Sequence, residues 1–245
     1  MFVSCIVLAA GKGARFRSRI PKPLLEVERR PIIIRCLGIL SLNPSIKEII
    51  VVANPSNRDG IKDRIHRYHI DKVKGVVLGG RERKDSVVCG LKAISADAEF
   101  VLIHDAARPF IDKRLVASVI REAQKTKAAI LAVPVKNTIK AICHLPFARE
   151  KIVARTLNRD ELWEVQTPQV FERKLILEAY KRFGHCQVTD DAMLVEKLGT
   201  RVSVVEGSYD NIKITTPEDL VIAQAIAKLS LRGARRRRTT KQSKM

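Results

Sequence analysis

Through its first 134 residues the sequence alternates five apolar runs, mostly rich in β-branched residues, with helix-like segments, and no other feature constrains the fold so tightly. Residues 2–10 (FVSCIVLAA), 47–53 (KEIIVVA), 75–78, 100–104 and 128–133 read as short buried strands. Residues 31–42, 57–68, 83–94 and 112–127 read as helices; Pro31 opens the first and Asp112 caps the last. A βαβα succession predicts an α/β fold, a mostly parallel twisted sheet with helices on both faces. The rhythm breaks at Pro134, and residues 135–160 alternate polar and apolar around a turn near Leu145-Pro146, which predicts a β-hairpin arm. Helices at 172–183 and 192–198, a strand at 201–205 and a last helix from Thr216-Pro217-Glu218 to about Leu229 complete the domain, 1–231. Residues 232–245 carry seven Lys/Arg and no acid, so this basic tail is expected to be disordered, with weak affinity for polyanions.

Between the first strand and the first helix lies LAAGKGARFRSRIPKP, residues 8–23. Gly11 and Gly13 let a backbone approach a phosphate closely. Lys12, Arg15, Arg17, Arg19 and Lys22 follow with no acid among them, and like charges so close repel unless an anion meets them. The Walker spacing is absent, and Phe16 stands where a dinucleotide loop needs a small residue. A loop for a polyphosphate is one reading; a glycine turn on a solvated basic loop is the other.

The net charge of +20 points to anionic partners, which are phosphorylated substrates, nucleic acid or acidic lipid. Cys5, Cys36, Cys89, Cys143 and Cys186 are odd in number and widely spaced, and no pair has CxxC spacing. Buried free thiols are therefore expected rather than a disulfide framework or a zinc site. The N-terminal apolar run lacks a preceding positive region, and no run of about 20 apolar residues exists, so no membrane span and a cytoplasmic location are expected.

Several ordered blocks then carry a resemblance: AAGKGARF with PKP behind it, HDAARPF (104–110), TPQVF (167–171), TDDA (189–192) and DNIKITTPEDL (210–220). The opening resembles the sugar-phosphate nucleotidyltransferases. Together the blocks resemble the 2-C-methyl-D-erythritol 4-phosphate cytidylyltransferases of non-mevalonate isoprenoid synthesis, from about Val3 to Leu229. That resemblance implies a Rossmann-like nucleotidyltransferase fold, CTP and a sugar-alcohol phosphate as substrates, Mg²⁺ as cofactor, and a homodimer in which the 135–160 arm completes the partner's site.

The resemblance also implies residue roles. Arg15 and Lys22 would stabilise charge at the α-phosphate, and Arg159 and Lys213 would orient the attacking phosphate. Ala9, Ala10, Gly11, Gly13, Gly80, Arg83, Ser86, Asp105 and Ala106 would hold the nucleotide. Arg108, Thr138, Arg159, Thr167, Thr189 and Lys213 would hold the sugar phosphate, with Thr138 and Arg159 supplied by the partner's arm. Asp105, at a strand's carboxyl end, is the first expected Mg²⁺ ligand and Asp210 the second. Lys213 is expected at the end of a short apolar strand. Asn158 and Asp191 stand where the family more often has Asp and Glu. Arm, lysines and threonines also admit plain surface roles.

Two other readings compete. Ribitol-5-phosphate cytidylyltransferases share many motif positions, but AAG, HDAARP and Asp210 before Asn211 resemble the methylerythritol family better. A basic nucleic-acid-binding protein would suit the charge, yet only 4% of residues are aromatic and no recognition motif appears.

Overall fold

Alternation of side chains along one strand sorts the core. In Val3–Leu8 (β1), Val3, Cys5 and Val7 enter one apolar cluster and Ile6 the other, as the two-residue period of a strand requires. The structure, a computed structural model, describes residues 1–11, 13, 16, 20–144 and 151–242, with backbone alone at 144 and 231–242. The remaining strands are Glu26–Val27 (β2), Arg30–Pro31 (β3), Ile46–Ala53 (β4), Val73–Leu78 (β5), Phe100–Asp105 (β6), Ala128–Pro134 (β7), Lys140–His144 (β8), Lys151–Thr156 (β9), Trp163–Glu172 (β10) and Ser203–Glu206 (β11). Helices span Ile32–Ser41 (α1), Arg58–Arg67 (α2), Arg83–Ala93 (α3), Lys113–Thr126 (α4), Arg173–Phe183 (α5), Ala192–Lys197 (α6) and Pro217–Gln242 (α7).

The main sheet runs β11-β7-β10-β6-β1-β4-β5, parallel except for β10, which is antiparallel to both neighbours. Helices α1, α2 and α4 cover one face and α3, α5 and α6 the other. The expected doubly covered α/β fold is therefore present. The Asp112 cap is also present, its carboxylate accepting from the Arg114 amide at 2.6 Å. β8 and β9 pair as the predicted arm, whose turn residues 145–150 lie outside the described residues. Ile142, Cys143, Ile152 and Val153 are exposed on it; of the five thiols expected to be buried only Cys5 and Cys36 are, Cys89 and Cys186 being half-buried.

Strand β10 has no counterpart in the sequence reading, although it lies inside the sheet between β7 and β6. WEVQTPQVFE shows a proline and two glutamines, which read as loop. The ladder to β7 slips between Gln166 and Gln169, and Pro168 falls in that slip, where no amide donor is needed. Gln166 and Gln169 are buried yet donate to the Ser208 carbonyl and to Asp190, so the inside of the sheet tolerates them.

Two further corrections concern the C-terminal part. Lys213 lies in an extended loop entering α7 rather than in a strand. Helix α7 continues to Gln242, past its expected end near Leu229. Arg, Lys, Gln and Ala are good helix formers, no proline follows Pro217, and Gly233 alone costs only about 1 kcal/mol.

Candidate active site

Strands β6, β1, β4 and β5 are parallel neighbours, so their carboxyl ends open on the same side. The segments that follow them wall a cleft of about 1320 Å³. Ligand crevices of open α/β sheets form at such strand ends. Backbone bonds tie the walls together: Ala9 N donates to Val52 O at 2.7 Å, Gly79 N to Ala53 O at 2.8 Å, and Ala106 N to Leu8 O at 3.0 Å. The first turn of α3 lines the cleft and brings the positive end of the helix dipole to it. Gly79 makes this approach possible, because a Cβ there would lie 2.6 Å from Ser86 Oγ and 2.7 Å from Ala10 Cβ.

Asp105, the last residue of β6, is the electrostatic centre. Its Oδ2 lies 2.6 Å from Lys213 Nζ and its Oδ1 lies 3.5 Å from Arg83 Nε. Burial alone would favour the neutral acid, but Arg83 and Lys213 outweigh it and hold the carboxyl well below the usual carboxylate range. Arg83 also reaches the fully buried Asp191, whose Oδ2 accepts from Nη2 at 2.8 Å. Burial opposes the guanidinium charge, and Asp191 followed by Asp105 reverses that, so its pKa lies above the ordinary arginine value. Tyr180 Oη donates to the other Asp191 oxygen at 2.5 Å; burial and that carboxylate keep the phenol protonated.

A second set of bonds positions Asp105 from behind. The Asp105 amide donates to Thr167 Oγ1 at 3.0 Å, and Thr167 Oγ1 lies 3.0 Å from His104 Nδ1. His104 Nε2 faces the Arg108 carbonyl at 3.2 Å, which only accepts, so Nε2 carries the proton and Thr167 donates to Nδ1. Burial pushes the His104 pKa down to about 4, which keeps the ring neutral near pH 7. Fully buried Asn211 fixes the loop that carries Lys213: its Nδ2 donates to Gln166 Oε1 and to Thr167 O, both at 3.0 Å. Arg108 Nη1 donates to the Asn211 carbonyl at 2.7 Å, and Ile214 N donates to Ala107 O at 2.9 Å.

All nine residues expected to hold the nucleotide, from Ala9 to Ala106, line this single cleft together with Lys22 and Lys213. Ala106 and Ala107 keep it open by being small. Arg15 lies outside the described residues. Other expected residues are elsewhere. Arg108 and Thr167 do not line the cleft; Thr167 on β10 accepts from the Asp105 amide, and Arg108 Nη2 donates to the Val165 carbonyl of β10 at 3.4 Å. Thr138, Thr189 and Arg159 are exposed, and Arg159 donates to the Lys136 carbonyl at 3.0 Å on the arm. Asp210 lines a separate hollow with Asp112 and Arg114, because the 207–211 turn carries it away from Asp105. Among the described residues no group of three His, Cys, Asp or Glu side chains forms a metal cage.

The sequence reading gave no role to several residues of this assembly, among them Asn54, Asn57, Asp191 and Tyr180. Asn54 and Asn57, behind β4, donate to the carbonyls of Ala10 (3.1 Å) and Ala9 (2.9 Å) and so hold the mouth of the glycine loop. Their signal is the pair of asparagines in NPSN at a strand-to-helix turn. Tyr180 carries no local signal, and Asp191, though it lies in the TDDA block, shows none for this role, since Arg83 is 108 residues away in sequence.

Residues 3–229 match the family model of 2-C-methyl-D-erythritol 4-phosphate cytidylyltransferase, IspD. The chain is 44% identical over 228 residues to the 2-C-methyl-D-erythritol 4-phosphate cytidylyltransferase of Halalkalibacterium halodurans, covering 92% of this chain and 97% of that one. It is similar to the solved 4-diphosphocytidyl-2C-methyl-D-erythritol synthase of Anaerococcus prevotii, with a TM-score of 0.80, 38% identity and coverage of 93% and 96%. The Thermus thermophilus 2-C-methyl-D-erythritol 4-phosphate cytidylyltransferase gives a TM-score of 0.71 and 35% identity, over 93% of this chain and 100% of that one.

Proposed function

The chain belongs to the 2-C-methyl-D-erythritol 4-phosphate cytidylyltransferase family, and from that premise we infer that its Asp105 cleft is the site of cytidylyl transfer. The protein transfers CMP from CTP to 2-C-methyl-D-erythritol 4-phosphate in isoprenoid precursor synthesis. One observation carries the assignment of the site: every described residue expected to meet the nucleotide lines one cleft at the carboxyl ends of four parallel strands, beside Lys22 and Lys213.

An oxygen of the substrate phosphate attacks the α-phosphorus of CTP. A new P–O bond forms there, the bond to the bridging oxygen of the β-phosphate breaks, and pyrophosphate leaves with that electron pair. The attacking phosphate is already ionised at neutral pH, so no strong general base is needed. The protein's task is to bring two anions together and to meet charge at the crowded phosphorus. Lys22, with Arg15, does this at the α-phosphate. Lys213 orients the attacking phosphate, exchanging its contact with Asp105 for one with the substrate. Asn211 and Thr167 keep Lys213 and Asp105 in register for that exchange.

Mg²⁺ fits the donor set, since magnesium is commonly held by one carboxylate with phosphate oxygens and water, and ionised Asp105 supplies that carboxylate. When bound, it neutralises phosphate charge. Asp210 faces the other hollow and is not part of this proposal. Thr138 and Arg159 stand exposed on the arm and not in the cleft of their own chain, which supports the reading that they serve a second copy in a homodimer. The apolar arm surface of Ile142, Ile152 and Val153 supports the same reading. Five free thiols suit a reducing cytoplasm. Among the described residues no helix is long and apolar enough to cross a membrane. The basic end of α7 lies beyond the matched region and serves at most as a weak polyanion contact.

A pyrophosphate-release assay over CTP, UTP, ATP and GTP, crossed with methylerythritol 4-phosphate and ribitol 5-phosphate, tests the reaction. Turnover is expected with CTP and methylerythritol 4-phosphate. Equal turnover with UTP, or preference for ribitol 5-phosphate, would overturn the substrate assignment.

A further inference from the structure

Asp191 is fully buried at the start of α6, and the transfer chemistry gives it no role. Both of its oxygens are taken. Oδ1 accepts from Tyr180 Oη at 2.5 Å and Oδ2 accepts from Arg83 Nη2 at 2.8 Å. The same guanidinium faces Asp105 Oδ1 through Nε at 3.5 Å. A single arginine is thus shared between a carboxylate sealed in the core and one at the mouth of the cleft. Its shorter contact is with the sealed one.

A buried carboxylate is costly unless it is paired and hydrogen-bonded, and Asp191 meets that demand only with Tyr180 and Arg83. The pairing in turn fixes Arg83. A free arginine side chain samples many rotamers, and a planar fork gripped at one edge presents its remaining donors in one direction. Without Asp191, the guanidinium would turn onto Asp105, the nearest remaining carboxylate, and neutralise the group that faces the phosphates. The neighbours of Asp191 are firm. Asp190 accepts from Gln169 Nε2 at 2.8 Å and from the Met193 amide at 3.1 Å, and Ala192, Leu194 and Val195 are in the core.

Resting on the reading of this cleft as the CTP site, we propose that Asp191 is a positioning residue for nucleotide binding, acting through Arg83 and locked by Tyr180. It touches no substrate itself. It sets the direction in which Arg83 meets the nucleotide, and so governs affinity for CTP rather than the transfer step. The grip spans the sheet face from α5 and α6 to α3, elements that share one apolar cluster.

The test is a double-mutant cycle on the full chain with Asp191→Asn, Arg83→Ala and both together, reading KM and kcat and also CTP affinity by calorimetry. Losing one buried charge-assisted hydrogen bond is expected to weaken CTP binding roughly tenfold or more in Asp191→Asn. The KM for the sugar phosphate stays within about twofold, and in the Arg83→Ala background the same substitution costs less than about twofold, as residues acting as a unit require. Tyr180→Phe, which keeps the ring, shows a smaller rise in KM for CTP and carries the test if Asp191→Asn does not fold. Equal losses with and without Arg83, or unchanged CTP affinity in both Asp191→Asn and Tyr180→Phe, would overturn the proposal. A wild-type protein that binds CTP but transfers no CMP would refute the reaction and leave this binding test standing.

Discussion

The ammonium of Lys213 sits 2.6 Å from the carboxylate of Asp105, joining a loop before the last helix to the end of a strand 108 residues earlier. Lys213 is partly exposed while Asp105 is nearly buried, so the pair lies at the cleft surface with the lysine on the solvent side. Two cations hold the Asp105 carboxyl below the ordinary carboxylate range, so it is ionised throughout the neutral pH range. The pair stores Lys213 in place without neutralising the cleft, because Lys22 and Arg83 also line it.

His104 gives the fold a defined acid sensitivity. Its folded pKa of about 4 lies below the ordinary value of 6.5. Between those values the unfolded chain takes up a proton that the folded chain refuses. The stability that rests on the neutral ring is complete above about pH 6.5, falls as pH drops, and is lost at about pH 4. At pH 4.5 the loss from this group is about 2–3 kcal/mol. Melting curves at pH 7 and 4.5 are expected to differ clearly less for His104→Gln, which can still donate and accept, than for the parent. An equal shift in both proteins would remove His104 as the cause.

Two glycines give opposite expectations. A Cβ at Gly79 would meet Ser86 Oγ and Ala10 Cβ well inside normal contact, so Gly79→Ala is expected to destabilise by about 1–3 kcal/mol and to raise the KM for CTP. A Cβ at Gly38, inside α1, meets nothing within 4 Å, and Gly38→Ala is expected to stabilise by about 0.5–1 kcal/mol. Chemical denaturation of both variants checks the pair. Similar midpoints for the two would show that crowding at the cleft wall is relieved by movement.

Deleting residues 232–245 is expected to leave melting temperature and specific activity nearly unchanged. Among the described side chains the last in the core on α7 is Ala227, Leu229 is exposed, and the matched family region ends at residue 229. A fall of several degrees on deletion would show that the basic end of the helix packs on the domain. The same variant at low salt reads any polyanion contact as a loss of affinity for a heparin matrix.

Much of this was legible in the sequence because it was local. Apolar runs, Pro31, the Asp112 cap and the glycine loop each place an element from a few neighbouring residues, and the nine nucleotide residues fall into one cleft because they follow parallel strands. What was not legible depends on distant partners. β10 hides because Gln166 and Gln169 are polar by type, and their partners Ser208, Asn211 and Asp190 lie far along the chain. Lys213 read as a strand residue because its loop is extended and apolar; its partner is Asp105 and its anchor is Asn211. The motif asparagine of DNIK, Asn211, is accordingly a strut for the lysine two residues on. Helix α7 runs past its expected end near Leu229 because intrinsic propensity continues the helix there.

The central claim is that the Asp105 cleft transfers the cytidylyl group and that Lys213 meets the attacking phosphate within it. Its most direct measurement is kcat for Lys213→Ala, and for Lys22→Ala beside it, at saturating CTP, methylerythritol 4-phosphate and Mg²⁺. Removing a preorganised charge from such a site is expected to lower kcat about 10²–10³-fold, or roughly 3–4 kcal/mol, with the melting temperature little changed. A surface lysine would shift the barrier by no more than about 0.5 kcal/mol. Near-parental kcat in both variants would contradict the account.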